Sequence, residues 1–244
     1  RALTKLLREK GTMNGMITTK EYTDHSEVLK RIRNYSVEGV VLKTTTKEKY
    51  VLPGTGKKVA LMDFGAKKNI ARSLVERGCE VTVYPCDTPA EEILASCPDG
   101  IMLSNGPGDP KENTEIIREI RKLYESDTPI FAICLGHQLM ALATGADTFK
   151  LKYGHRGGNH PVKDLETGRV YISSQNHGYA VDTDNLDPTV AVPAFVNVND
   201  KTNEGLKYTG KNIFTVQYHP EACPGPLDSG YLFDRFMKMM GGNE

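Results

Sequence analysis

Phe131-Ala132-Ile133-Cys134-Leu135-Gly136-His137-Gln138 is a short apolar run that passes directly into a helical pattern, with a cysteine at the corner. A strand that is apolar at every position is buried on both faces, as in a parallel sheet covered by helices. The same rhythm repeats outward from this stretch. Upstream, the pattern predicts a helix over 114–124, a strand over 100–103, a helix over 89–95, a strand over 80–84, a helix over 67–77 closed by Gly78, and a strand over 59–62. Downstream, a helix over 136–144 completes the alternation. Such alternation with short links specifies an α/β fold, with a mostly parallel sheet flanked by helices. Residues 148–217 are richer in strands, expected at 170–173, 190–198 and 213–217, and a last helix is expected over about 228–240. Ligands on such sheets bind at the carboxyl ends of strands, which singles out the loops after Leu103, Ile133 and Gln217.

The first 50 residues are charged and helix-rich, with Leu3, Leu6 and Leu7 on one helical face ending at Gly11, and a second helix over 27–34. The run 44–49 reads as a polar linker or an edge strand. Pro53-Gly54-Thr55-Gly56 then marks a boundary, dividing the chain into 1–56 and 57–244. The 244 residues are 39% hydrophobic and 25% charged, which excludes wholesale disorder. Lys+Arg 31 balance Asp+Glu 31, so no basic excess points to nucleic acid or to an anionic membrane surface. No run reaches the roughly 18 apolar residues of a membrane span, and the amphipathic opening does not read as a secretory leader. Arg1 opens the chain in place of Met, and the expectation is a piece of a longer protein. Cys79, Cys86, Cys97, Cys134 and Cys223 form no CxxC pair, so they are expected to be reduced thiols in a cytoplasmic protein, with no disulfide scaffold or zinc site.

Several stretches imitate motifs. Asp63-Phe64-Gly65 spells a kinase tripeptide, but no HRD loop, Gly-rich ATP loop or VAIK lysine accompanies it. Gly54-Thr55-Gly56-Lys57-Lys58 precedes its strand and lacks phosphate-loop spacing. Asn34-Tyr35-Ser36 fits a glycosylation acceptor with nothing else to suggest secretion. His155 and His160 lie in a glycine-rich stretch, 153–160, that reads as a loop and not as a metal site, since no carboxylate or cysteine stands at ligand spacing.

Three pieces carry chemistry. Cys134, at a strand-to-helix corner followed by Gly136, has the setting of a nucleophile elbow; a buried structural cysteine is an equal reading of these residues alone. His219-Pro220-Glu221 follows the apolar strand Ile213-Phe214-Thr215-Val216-Gln217 and offers a base with a carboxylate to orient it. Ser104-Asn105-Gly106-Pro107-Gly108-Asp109-Pro110 opens from a strand end with bare backbone amides suited to an oxyanion hole, or is an ordinary turn.

Together these resemble the class I (triad) glutamine amidotransferases, and within them the small subunits of carbamoyl-phosphate synthetase. The resemblance rests on residues 63–70 (DFGAKKNI), 104–110 (SNGPGDP), 134–138 (CLGHQ), 175–182 (QNHGYAVD) and 219–226 (HPEACPGP), and covers 58–244 strongly. It implies that 57–244 is the amidotransferase domain and that 1–56 is a remnant of the family's N-terminal domain plus a linker. It also implies that Cys134 attacks glutamine, His219 is the base and Glu221 holds it. Leu135 with Gly106 or Gly108 would supply oxyanion N–H groups, and Gln138, Asn176, Gly178 and Tyr179 would hold the substrate. The implied partner is a large subunit that binds ATP and magnesium and makes carbamoyl phosphate for arginine and pyrimidine synthesis. No cofactor is expected on this chain. With most of the N-terminal domain missing, the chain alone is expected to be a weak glutaminase. Competing readings are an amidotransferase serving another synthase, a gamma-glutamyl hydrolase, and a silent partner-binding subunit.

Overall fold

A computed structural model describes residues 1–222 and 228–241. Three helices open the chain: α1 (Ala2–Lys10), α2 (His25–Asn34) and α3 (Val40–Thr44). α1 stops at Gly11, whose φ of 86° costs glycine nothing. α2 starts at Asp24, whose carboxylate accepts from Ser26 N–H at 2.7 Å and caps the first turn. Neither α1 nor α2 buries a residue, and the predicted leucine face of α1 points outward.

The predicted alternation follows as β1 (Tyr50–Leu52), β2 (Lys58–Asp63), α4 (Lys68–Val75), β3 (Glu80–Pro85), α5 (Ala90–Ala95), β4 (Gly100–Leu103), α6 (Thr114–Glu125), β5 (Ile130–Ile133) and α7 (Leu135–Ala143). The strand-rich part is β6 (Asp147–Asp164), β7 (Val170–Asp182), β8 (Ala191–Asn197), β9 (Asn203–Tyr208) and β10 (Ile213–Val216), and α8 (Tyr231–Met239) ends the described chain. All these strands form one sheet in the order β1-β3-β2-β4-β5-β10-β9-β8-β6-β7. The sheet expected to be mostly parallel is parallel through β3, β2, β4, β5 and β10, and mixed as a whole. Helical crossovers impose parallel pairing, whereas the hairpin-linked strands pair antiparallel. β1, which precedes the boundary expected at 53–56, is the antiparallel edge strand beside β3.

β5 shows how the sheet is held. Its residues alternate between the two faces. Ile130 and Ala132 join a core with Ile116 and Ile120 of α6 and Leu139 and Met140 of α7, while Phe131 and Ile133 join the other core with Ile70 and Leu74 of α4 and Phe233 and Phe236 of α8. Phe131 stacks on Phe214 with ring centroids 4.4 Å apart.

The glycine-rich stretch 153–160 is not the predicted loop. His155 and His160 lie within β6, which keeps pairing with β7 through register shifts between Lys150 and His155 and between Gly157 and His160. Gly154 at φ 71° and Gly157 at φ 134° supply the bends, so composition that usually marks a loop here marks a twice-bulged strand. Among the described residues, no helix is long and apolar enough to cross a membrane.

Candidate active site

Cys134 is the hinge between β5 and α7. Its φ of 53° and ψ of −101° lie outside the regions that side chains prefer, a strain that persists only where the surroundings fix it. Here they do. Cys134 N–H donates to Val216 O at 2.8 Å across the β5–β10 ladder, and Gly136 N–H donates to Ser104 O at 3.0 Å. A Cβ at Gly136 would stand 2.6 Å from Leu103 O, so only glycine lets α7 start this close to β4. The thiol therefore faces the N-terminal end of α7, where the helix dipole favours negative charge.

β10 delivers the base. His219 follows its carboxyl end, and its own N–H is tied to Ser174 O at 2.9 Å. Nδ1 of the ring donates to Glu221 Oε1 at 2.8 Å, leaving Nε2 for Cys134, which lines the same cleft. Burial pulls His219 down, but the charge and hydrogen bond of Cys134, then those of Glu221, outweigh it and raise the ring to about 9. Burial pushes Glu221 up, while the His219 hydrogen bond and charge, with Lys67 Nζ at 3.4 Å, carry it below the usual carboxylate range.

The residues 63–70 explain how Lys67 arrives there. Asp63 Oδ1 accepts from Gly65 and Ala66 N–H at 2.8 and 2.6 Å, its Oδ2 from Thr46 N–H at 2.7 Å, and Asn105 Oδ1 accepts from Lys67 N–H at 2.9 Å. The imitation kinase tripeptide is thus a loop staple. Ser104 Oγ accepts from Phe64 N–H at 2.9 Å and so joins this loop to the next one. A Cβ at Gly106 would stand 2.3 Å from Phe64 O and 2.6 Å from a Leu135 methyl, and Gly108 has φ 94°. Leu135 N–H, in the first turn of α7, has no intrahelical acceptor. Among the described residues, no backbone acceptor takes the N–H of Gly106 or Gly108.

These loops enclose a cleft of about 420 Å³. Cys134, His219, Gly106, Gly108, Gln138, Asn176, Gly178 and Tyr179 line it, together with Thr44, Lys67, Arg156 and His177. Leu135 and Glu221, also predicted for the site, stand behind this lining, and residues 223–227 of the 219–226 stretch lie outside the described residues. Gln138 Nε2 donates to Tyr179 O and to Gln217 Oε1, both at 2.9 Å, and its Oε1 accepts from no group among the described residues. Burial, then Asp109, raises the Tyr179 phenol to about 12, so it stays a neutral donor. A larger groove of about 690 Å³, beside Ser126 and Lys211, lies at the amino ends of β5 and β10 and is lined by neither cysteine nor histidine. The arrangement in the smaller cleft is suited to acyl transfer through a thiol.

Thr44, Lys67, Arg156 and His177 join the cleft beyond the residues that the sequence singles out. Lys67 and His177 lie within the stretches of resemblance, whereas Arg156 gives no signal beyond its glycine-rich setting.

Comparison with known proteins gives three findings. The family model for glutamine amidotransferase class-I matches residues 60–239. The carbamoyl phosphate synthase small chain of Listeria monocytogenes is 52% identical over 245 residues, a match covering 100% of this chain and 67% of that one; that of Clostridium perfringens is 52% identical over 240 residues, covering 98% and 67%. A glutamine amidotransferase from Thermotoga maritima shares the fold with a TM-score of 0.55 at 17% identity, covering 75% of this chain and 81% of that one.

Proposed function

This chain belongs to the glutamine amidotransferase class-I family, among the carbamoyl phosphate synthase small chains, and from that membership we propose that it hydrolyses glutamine at Cys134 and passes the ammonia to a large synthase subunit. The observation that carries the reading is the strained Cys134 at the start of α7 beside a His219 whose Nδ1 is held by Glu221 at 2.8 Å.

His219 Nε2 takes the thiol proton, and the sulfur attacks the side-chain amide carbon of glutamine. Charge that develops on the amide oxygen is met by N–H of Leu135 and of Gly106 or Gly108. His219 then gives its proton to the leaving nitrogen, ammonia departs and a thioester remains. Water, deprotonated by His219, attacks the thioester carbonyl; glutamate leaves and the thiol is restored. Glu221 stabilises the imidazolium in both halves. Gln138 Oε1, Asn176, Gly178 and Tyr179 hold the amino-acid end of the substrate. Every proton moves between the substrate, water, Cys134 and His219, so the reading needs no cofactor on this chain; ATP and magnesium act on the large subunit. Residues 57–244 carry this chemistry as the amidotransferase domain, joined by β1 at the edge of its sheet and by Thr44 in its cleft, and the residues before them are the end of a preceding domain. The unpaired thiols among the described residues support a cytoplasmic setting.

The test is covalent labelling with a glutamine-like chloroketone, followed by peptide mapping. The label is expected on Cys134. Cys97 is the exposed thiol among the described residues and the control for unselective alkylation. A label on Cys97 or Cys223, with Cys134 unmodified, overturns the assignment.

A further inference from the structure

Behind the Asn176–Tyr179 wall of the cleft lies a buried polar cluster that the triad does not use. His155 of β6, Gln175 and His177 of β7 and Glu204 of β9 are each no more than 9% exposed, and Asp200 reaches in from the turn between β8 and β9. Gly154, bent at φ 71° with room for no Cβ against His177 O, turns β6 so that His155 points inward, edge-on to His177 at 4.8 Å between centroids. Ligand atoms of His155, His177 and Glu204 lie within 4.8 Å of one another. However, Gln175 Oε1 sits 2.9 Å from His155 Nδ1 and 3.0 Å from His177 Nε2, where an ion bridging the rings would sit, and Gln175 Nε2 donates to Ser173 Oγ at 3.1 Å, so the structure holds the oxygen-inward arrangement. The cluster is a hydrogen-bond relay, not a metal centre.

The relay has a definite logic. His177 Nδ1 faces Tyr179 O at 2.7 Å, so it carries a proton. Burial holds this ring far down, to about 3, so it is neutral and Nε2 is an acceptor. With its NH₂ inward, the Gln175 amide donates to His177 Nε2 and to His155 Nδ1. With its oxygen inward, it accepts from a His155 protonated on Nδ1 and leaves His177 Nε2 against an oxygen. One amide answers to both rings.

We propose that His155 is a positioning residue: through the Gln175 amide it sets whether His177 holds the Asn176–Tyr179 wall in its glutamine-binding form. This rests on the reading above that the wall holds glutamine. The groups facing His155 are Asp200 at 2.7 Å, Glu204 at 3.4 Å, and the rings of His160 and His177. Glu204 raises its proton affinity, burial opposes, and Asp200 adds to the rise, to about 9. Raising the pH through that value frees Nδ1, lets the amide turn its NH₂ inward and favours the binding form.

Two measurements test this. The first is steady-state glutamine hydrolysis by the chain assembled with the large synthase subunit. His155→Gln and the milder Asp200→Asn both weaken or remove the proton that draws the amide oxygen inward, so below about pH 9 they are expected to lower KM for glutamine by up to about tenfold, the value of one buried hydrogen bond, with kcat within about threefold. Carbamoyl phosphate synthesis from added ammonia should be unchanged, which shows that the complex is intact. An unchanged KM in both variants, or a loss confined to kcat, overturns the proposal. The second is ¹⁵N NMR of the histidine rings between roughly pH 7 and 10. His177 Nε2 is expected to shift with the same midpoint as His155, and to stop doing so in Gln175→Leu. A His177 signal that stays flat while His155 titrates overturns the proposal whatever the activity. If the unsubstituted assembled chain releases no ammonia, the glutaminase reading fails instead, and the spectrum still decides the relay.

Discussion

Cys134, His219 and Glu221 are coupled by charge, so their loss has graded effects. A ring without Glu221 still accepts a proton, whereas a side chain without a basic nitrogen does not. His219→Asn is therefore expected to abolish ammonia release, and Glu221→Gln to leave a measurable remnant, with general-base terms worth about 10²–10⁴-fold. Steady-state glutamine hydrolysis reads both, and full activity of His219→Asn removes the triad. The same charges give stability a pH window. His219 holds its proton more tightly when folded, so its contribution is full below 6.5 and is lost as pH rises through about 9. Glu221 runs the other way: its contribution is present above 4.5 and is lost as pH falls. Thermal melts are expected to show Tm declining between about pH 6.5 and 9, and the decline should be smaller in His219→Asn. Lys67→Met removes a positive neighbour of Glu221, so the acid-side loss, which still sets in near 4.5, should be smaller and end at a higher pH in the same melts. At this scale the sequence was readable where a motif is contiguous, as in 219–221 and 134–138. The pairing of Lys67 with Glu221, or of His155 with Asp200 and Glu204, joins residues 45 or more apart in sequence, and no local pattern announces it.

Elements were legible in proportion to how fully they are buried. β2, β4 and β5 are apolar because helices cover both faces, and each stands within a residue or two of its predicted position. β6 is bulged by glycines and largely exposed, so its alternation is broken and it read as a loop. β1 escaped because an exposed edge strand needs no apolar face. The tightest element junction is that of α7 with β4. Gly136→Ala forces a methyl to within 2.6 Å of Leu103 O, and overpacking of this kind costs about 1–3 kcal/mol. Chloroketone labelling of Cys134 should slow in that variant by more than the melt alone accounts for, because the elbow itself must shift.

For the whole molecule, stability resides in the two cores on either side of the sheet. Phe131 touches Phe214, Phe233 and Phe236, and is fully buried. Phe131→Ala is expected to cost about 3–5 kcal/mol, a fall in Tm of roughly 10 °C for a domain of this size. By contrast, α1 and α2 bury nothing, so a chain starting at residue 37 should melt within about 2 °C of the full one. A larger fall there would mean that the opening helices share the main core.

The amide of Cys134 is bonded to Val216 in the middle of the sheet, with β4 on one side and β9 on the other. Its hydrogen can be traded for deuterium only when β5 and β10 separate, and that separation is the unfolding of the molecule itself. The reactive corner is therefore among the last places to take up the isotope, while β1, at the sheet's edge, is among the first. The chemistry and the slowest breathing motion of the protein share a single hydrogen bond.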